Sequence, residues 1–133
     1  MLFRSDLVPY AENGGARRDR LVTSLSALER HEDRMHTRLR EGLEKLPGVR
    51  LYAHAKSRTP TEFFAFEGHD SSHLATELAK RDINAPSGSF YAYEPCRALG
   101  LGEPGALRAG IAPYTSTDDV DRLLEALGDM VRS

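Results

Sequence analysis

The sequence has a single cysteine, no tryptophan and no long hydrophobic run. One cysteine, Cys96, excludes a disulfide framework within the chain and a zinc site built from four cysteines, and it is typical of a reducing cytoplasm. The longest apolar runs, such as FFAF at residues 63–66, are far shorter than the ~20 residues that a membrane span requires. We therefore expect a cytoplasmic protein that neither crosses a membrane nor depends on disulfides.

An excess of one charge is also missing. The formal net charge of −2 arises from 18 basic and 20 acidic residues that are mixed along the chain. This balance lacks the basic patch typical of nucleic-acid binding, so we expect no nucleic-acid partner. Only three of the basic residues are lysines, namely Lys45, Lys56 and Lys80. Their scarcity matters because several covalent mechanisms require a lysine amine.

A chain of 133 residues with 40% hydrophobic residues has the size of one domain. Residues 1–16 contain Pro9 and Asn13-Gly14-Gly15 and show no periodicity, which predicts an irregular lead-in. The domain itself is then expected over residues 17–133. The apolar residues of the lead-in favour a segment that packs against a further part of a longer chain.

Apolar residues recur at helical spacing from residue 19 to residue 46, which predicts a long amphipathic helix at the start of the domain. The apolar stripe consists of Leu21, Leu25, Leu28, Met35, Leu39, Leu43 and Leu46. It is interrupted near His31 and Glu32, where the helix face is expected to meet solvent or another domain. The pair Pro47-Gly48 ends the helix.

Short segments with strand-like patterns follow this helix. The alternating or apolar runs lie at residues 49–53, 62–67, 83–86, 89–93 and 107–112. Between the third and fourth runs, Ser87-Gly88 is predicted to form a tight bend. Connections of hairpin length favour antiparallel pairing among these strands.

Further helices are predicted between and after the strands. One covers residues 70–80, capped by Asp70 or Ser71, and a short helical turn lies at residues 95–99. The last begins after Ser116, whose spacing to Asp119 is that of a capping box. The order predicts an α+β fold with a small antiparallel or mixed sheet of three or four strands, helices packed on one face and a long N-terminal helix.

Several side chains are weak candidates for a catalytic or metal site. His69 and His73 have helical spacing, but His69 precedes the predicted helix and no third ligand is indicated, so we predict no metal site. Cys96 follows Glu94, which disfavours a thiolate, and is interpreted as a small packed residue. Residues 87–89 (SGS) lack the glycine spacing of a phosphate loop or a nucleophile elbow.

Arg108 is a stronger candidate because it lies inside the apolar strand segment at residues 107–112, where an unpaired charge is costly. An arginine on such a strand requires an anion, and its planar fork suits a carboxylate. That carboxylate belongs either to an Asp or Glu of the same domain or to a ligand. The residues alone favour neither alternative.

The segment RAGIAPYTSTDDVDRLL at residues 108–124 resembles the C-terminal signature of class V aminotransferases and cysteine desulfurases. That signature contains Arg, a few small or apolar residues, Tyr-Asn-Thr, two acids and Val-Asp-Arg-Leu; here Thr115 replaces its Asn and Ser116 its Thr. Weaker similarities are SGSFYA at residues 87–92, EGH at 67–69, RTPT at 58–61, LPGV at 46–49, and Arg17-Arg18, Ser24 and His31-Glu32 on the first helix. Together they cover about residues 16–131 and are similar to the cysteine desulfurase-like branch of the family.

The resemblance implies that this chain is the small C-terminal domain of an enzyme that uses pyridoxal 5′-phosphate (PLP). In such enzymes a large domain, absent from these residues, holds PLP on a lysine, and the small domain closes over an amino-acid substrate. The resemblance assigns the α-carboxylate of that substrate to Arg108 and implies a homodimer. The implied active-site loop over the cofactor consists of Ser87, Gly88, Ser89, Phe90 and Tyr91.

Two departures from the family pattern limit the expected chemistry. The mobile nucleophilic cysteine of cysteine desulfurases is matched by about Tyr91, and Cys96 lies some five residues later, so we expect no sulfur transfer by this chain. Lys45, Lys56 and Lys80 follow Glu or Ala instead of the His that usually precedes the Schiff-base lysine. We therefore expect no covalently bound cofactor and no activity of the isolated chain. The alternative is a non-catalytic dimerisation or binding module.

Overall fold

The computed structural model describes residues 17–52 and 59–132. The predicted lead-in at residues 1–16 lies outside the described residues, as do Ala53, at the end of the first strand candidate, and Lys56. In chain order the elements are α1 (Arg17–Leu43), β1 (Val49–Leu51), β2 (Thr61–Phe66), α2 (Ser71–Ala79), β3 (Ser87–Gly88), α3 (Tyr93–Ala98), β4 (Ala106–Gly110) and α4 (Thr117–Arg132). The helices predicted from apolar periodicity are confirmed.

The four strands form one antiparallel sheet in the order β1-β2-β4-β3. β1 and β2 form a hairpin in which Val49 lies opposite Phe66. β2 then pairs with β4, and Phe63 lies opposite Arg108. The two-residue strand β3 pairs with the start of β4. This arrangement confirms the predicted α+β fold with a small antiparallel sheet.

The alternating side chains of β2 divide the sheet into two faces. Glu62, Phe64 and Phe66 are buried, whereas the residues between them are only half-buried. The core on the buried side is completed by Met35, Leu39, Leu43, Leu74, Leu78, Leu107, Ala109, Val120, Leu123 and Leu127. Helices α1, α2 and α4 thus cover one face, as predicted, and these three helices leave the other face open.

Helix α1 extends beyond the core on which it packs. Its C-terminal half contributes buried residues, whereas Leu21, Val22 and Leu25 near its start are exposed. At the boundary, His31 Nε2 lies 2.8 Å from the carbonyl oxygen of Thr115. The interruption of the stripe thus coincides with the point where the helix leaves the core. Although α1 has 27 residues, neither it nor another helix within residues 17–52 and 59–132 is long and apolar enough to cross a membrane.

The segment around β3 differs from the sequence-based prediction. A bend is expected at Ser87-Gly88, but the strand pairing occurs at these two residues, and α3 begins where a further extended segment is expected. Between β3 and α3, Phe90 and Tyr91 have positive φ angles of 49° and 68°. Residues other than glycine rarely adopt this conformation. The left-handed conformation of Phe90 and Tyr91 has no signal in the local sequence pattern, so that pattern predicts an extended segment instead.

Candidate functional site

The candidate site lies on the open face of the sheet. Successive side chains of a strand point to opposite faces. Phe63 and Arg108 are cross-strand partners and lie on the face opposite the helical core. Arg108 is exposed although its neighbours Leu107 and Ala109 are buried. The alternation of β4 therefore places its one charged side chain on the open face.

Arg108 makes no ion pair with a carboxylate in the part of the chain that the structure describes. Its guanidinium carbon lies 4.3 Å from the centroid of the Phe90 ring. Its backbone N–H donates a hydrogen bond to the carbonyl of Pro86 over 2.9 Å. Of the two partners considered for Arg108, an acid of the same domain is not found among the described residues, and a ligand carboxylate remains the working hypothesis.

The loop that carries Phe90 is anchored to β4. Gly88 lies opposite Ala106 in the sheet. Gly105, with a φ of 61°, lies so close to Gly88 that a Cβ atom at position 105 would collide with the carbonyl group of Gly88. This close approach of two backbones requires glycine. The structure thus brings the predicted loop at residues 87–91 and Arg108 together at one side of the open face.

Three aromatic rings extend from Phe90 across the open face. The centroids of Phe90 and Phe63 lie 6.1 Å apart with nearly perpendicular planes, at 80°. Phe63 in turn contacts Tyr52, with centroids 5.8 Å apart. Tyr91, by contrast, has a fully exposed side chain. The positions of Phe63 and Tyr52 on this face depend on the strand register, so neither residue is predicted as part of the site from the sequence.

A cluster of charged and titratable side chains lies on the other side of β2. Glu62 is fully buried, with 0% of its side chain exposed. His36 Nε2 and Arg40 Nη1, one helical turn apart on α1, lie 2.8 and 3.1 Å from Glu62 Oε1. The strand predicted at residues 62–67 includes Glu62, but its partners on α1 are not predicted from the sequence. The alternation that puts Glu62 on the face of Phe64 and Phe66 is the signal that indicates its burial.

The segment that leads from Arg108 to α4 is held by the predicted capping box, which is confirmed. The backbone N–H and the hydroxyl of Ser116 donate hydrogen bonds to the Asp119 carboxylate over 2.9 and 2.7 Å. The N–H of Asp119 donates back to the Ser116 hydroxyl over 3.2 Å. The hydrogen bond from the Ser116 backbone, followed by that from its hydroxyl, holds the pKa of Asp119 below its usual value.

The remaining sequence candidates lie apart from this face or are inaccessible. Cys96 is buried in α3, with 3% of the residue exposed and its Sγ 3.8 Å from the carbonyl oxygen of Ser89. His69 precedes α2, and His73 lies in the first turn of that helix. Among the described residues, no group of three His, Cys, Asp or Glu side chains is placed to hold a metal ion.

Fold and site together define a class of protein: an α+β domain whose helices cover one face of an antiparallel sheet, and whose open face presents an exposed arginine beside a tightly reversed loop. Comparison with known proteins shows the family. The sequence pattern of the class-V aminotransferases matches residues 21–123. The chain belongs to this family.

Individual relatives agree with this assignment. The chain is 32% identical over 101 residues to a probable cysteine desulfurase of Pseudomonas putida, and the match covers 76% of this chain and 24% of that protein. It is 28% identical over 107 residues to an aminotransferase-like protein of Gibberella zeae, covering 76% of this chain and 27% of that protein. The chain thus spans about a quarter of the length of these relatives.

Two solved structures share the fold. The apo cysteine desulfurase of Thermococcus onnurineus superposes with a TM-score of 0.75 at 26% identity, covering 86% of this chain and 28% of that chain. The cysteine desulfurase CsdA of Escherichia coli superposes with a TM-score of 0.70 at 26% identity, covering 91% of this chain and 32% of that chain. In both cases the likeness is to one part of a longer protein.

Proposed function

We propose that this chain is the small C-terminal, substrate-clamping domain of a PLP-dependent enzyme of the class V aminotransferase family, in its cysteine desulfurase-like branch. The family match and the cysteine desulfurase relatives support this proposal. The match covers only 24% of the P. putida protein, which is consistent with a large cofactor-binding domain in the complete enzyme. We place the small domain at residues 17–133, after the lead-in, and propose that the complete enzyme is a cytoplasmic homodimer.

The observation that carries the proposal is the setting of Arg108. Its guanidinium lies on the open face over the Phe90 ring, without a carboxylate partner among the described residues. A guanidinium fork binds a carboxylate through two parallel N–H···O bonds. An amino-acid substrate supplies that carboxylate, and Arg108 would thereby orient the substrate's α-carbon.

The described residues fit a domain that closes over PLP without anchoring it. Lys45 lies in the turn after α1 and Lys80 caps the end of α2, where its amine donates to Glu77, so both residues belong to helix ends and not to the strand that carries Arg108. When bound by the complete enzyme, PLP supplies an electron sink for carbanion chemistry. The role of this chain is to bind the substrate carboxylate through Arg108 and to exclude water from the site with the loop at residues 87–91.

We propose no sulfur relay through this chain. A persulfide relay requires an accessible thiolate, and Cys96 is buried in α3. Tyr91, at about the position where the family resemblance expects the mobile cysteine, is exposed but carries a phenol in place of a thiol. The proposed reaction is therefore PLP chemistry on an amino acid without sulfur transfer to this domain.

The kinetic test compares Arg108→Ala with Arg50→Ala in the complete enzyme. Both arginines lie on the open face, since Arg50 is opposite Ala65, but Arg50 already pairs with Glu67 over 2.9 Å. A hydrogen bond to a charged group contributes about 1.5–3 kcal/mol, so Arg108→Ala should lower kcat/KM by about 10- to 150-fold. The loss should arise mainly from KM, with PLP occupancy unchanged.

Arg50→Ala should change kcat/KM less than about twofold, because its partner is a solvent-exposed acid of this chain. Wild-type kinetics of Arg108→Ala would overturn the carboxylate role. The domain assignment has its own test: the DNA upstream of the Met1 codon should encode, in frame, a large domain with a His-Lys cofactor site.

One observation favours the alternative of a binding or dimerisation module. Leu21, Val22 and Leu25 form an exposed apolar surface on the first half of α1. A module that binds through this surface would keep its function in Arg108→Ala and lose it in Leu25→Glu. The two variants, measured side by side for substrate kinetics and for sedimentation, therefore separate the two functions.

A further inference from the structure

We propose that Phe90 is a positioning residue, whose ring holds the Arg108 guanidinium with its N–H donors available to a substrate carboxylate. The inference rests on the proposed carboxylate role of Arg108 and adds the residue that prepares it. Phe90 need not touch the substrate; it acts through Arg108.

The contact between the two side chains has the geometry of a cation–π pair. The guanidinium carbon lies 4.3 Å from the Phe90 centroid, well inside the ~6 Å over which a ring quadrupole attracts a cation. A phenyl ring has no oxygen or nitrogen that accepts a conventional hydrogen bond. The ring therefore restricts the arginine while its donors remain for a carboxylate, unlike an Asp or Glu partner, which would occupy them.

The position of Phe90 is fixed by a contact of its ring and by the backbone of its loop. Its edge-to-face contact with Phe63, at 6.1 Å between centroids, joins it to the cross-strand partner of Arg108. Its backbone has a φ of 49°, which is unfavourable for a residue with a side chain and persists only where the surroundings enforce it. The close approach of Gly88 to Gly105 supplies that constraint by seating the loop on β4.

Restricting the arginine before the ligand arrives should increase affinity. A free arginine side chain loses rotamer freedom when it binds a carboxylate, and a side chain already held in place loses less. The loop at residues 87–91 and Arg108 are thus two parts of one preformed site, since the ring that limits the guanidinium belongs to the loop. An exposed cation–π contact corresponds to about a two- to fivefold change in affinity.

The experiment follows the Arg108 Nε–Hε signal of the ¹⁵N-labelled 133-residue chain by NMR while acetate, a minimal carboxylate, replaces chloride at constant ionic strength. In the wild type, the ring current of Phe90 should shift the Arg108 side-chain protons upfield. Phe90→Leu should abolish that shift and weaken acetate binding about two- to fivefold. Phe90→Tyr keeps the aromatic face and should preserve both the ring-current shift and the affinity for acetate. Arg50, paired with Glu67 on the same face, is the internal control.

The acetate titration tests Arg108 and Phe90 separately. If acetate shifts the Arg108 signal no more than that of Arg50, the proposed carboxylate role fails whatever Phe90 does. If acetate binds at Arg108 but with equal affinity in wild type and Phe90→Leu, the positioning role of Phe90 alone fails. If Phe90→Leu does not fold, two other measurements still test the positioning role of Phe90. The role is wrong if the wild-type Arg108 protons show no ring-current shift, or if Phe90→Tyr binds acetate more weakly than the wild type.

Discussion

Replacement of Glu62 by Gln should destabilise the protein far more than the same change at Glu67. Each carboxylate pairs with an arginine: Glu62 with Arg40 at 3.1 Å, and Glu67 with Arg50 at 2.9 Å. Their environments differ, since 0% of the Glu62 side chain is exposed and 70% of the Glu67 side chain is exposed. The two variants therefore remove the same charge, in one case from a buried cluster with His36 and Arg40 and in the other from an exposed pair.

The expected magnitudes follow from this difference. Removing one partner of a buried ion pair leaves the other charge uncompensated and costs about 3–5 kcal/mol, whereas an exposed pair contributes about 0–1 kcal/mol. Gln has nearly the volume of Glu and keeps an amide to hydrogen-bond, and Arg40 retains Glu44 as a second acidic partner at 3.1 Å. Glu62→Gln should therefore fall near the lower limit, at about 3 kcal/mol. That loss is a large share of the roughly 5–15 kcal/mol that stabilises a domain, and it should lower Tm by roughly 10 °C.

Urea unfolding of the two variants, followed by circular dichroism, measures the difference in unfolding free energy, provided that the slope m stays constant. A second comparison uses Arg40→Met and Glu62→Leu. Because the double variant removes both charges together, it should be more stable than either single variant. If Glu62→Gln loses no more stability than Glu67→Gln, the burial of Glu62 does not determine the energetic cost of removing its charge.

Further predictions concern the segments on either side of β4. Ser116→Ala removes the N-cap of α4 and should lower the unfolding free energy by about 1 kcal/mol at pH 7. The pKa of Asp119 is lower in the folded than in the unfolded protein. The ionised Asp119 carboxylate therefore stabilises the folded protein above the unfolded-state pKa, and this stabilisation is lost as the pH falls through the folded-state pKa. The stability gap between wild type and Asp119→Ala should therefore narrow below about pH 4, and a gap that stays constant down to about pH 2.5 contradicts this. Gly105→Ala should lower Tm more than Gly68→Ala. Both glycines have a positive φ, but only at position 105 would a Cβ atom collide with the backbone of Gly88. Equal decreases in Tm would argue against that contact.

The parts of the fold that the sequence predicts are those with local signals. The leucine stripe of α1 and the spacing of Ser116 and Asp119 act within a few residues, and both are confirmed. Arg108 stands out for the same reason, because a charge between apolar strand residues is visible in the sequence alone. Whether it has an intradomain partner is a question of tertiary structure, which local patterns do not answer.

The parts that the sequence does not predict depend on contacts between distant segments. The left-handed backbone at Phe90 is enforced by a loop that packs on β4 through Gly88 and Gly105, so no local pattern indicates it. The burial of Glu62 follows from strand alternation, but its partners His36 and Arg40 lie on a helix whose rotation over the sheet is set by the whole core. Propensity alone therefore misplaces the loop and misses the cluster.

The buried cluster and the open-face site specify the same strand register. Glu62 lies opposite Ala109, and the next pair in the ladder is Phe63 opposite Arg108. Because side chains alternate with a period of two, a slip of β2 by one residue would move Glu62 away from the helices and bring Phe63 into the core. The ion pair of Arg40 with Glu62 opposes that slip, and so keeps Phe63 on the open face, where it packs against the ring that contacts Arg108. A change at Glu62 should therefore disturb Arg108 as well as stability, whereas a change at the exposed Arg108 should leave stability nearly unaltered.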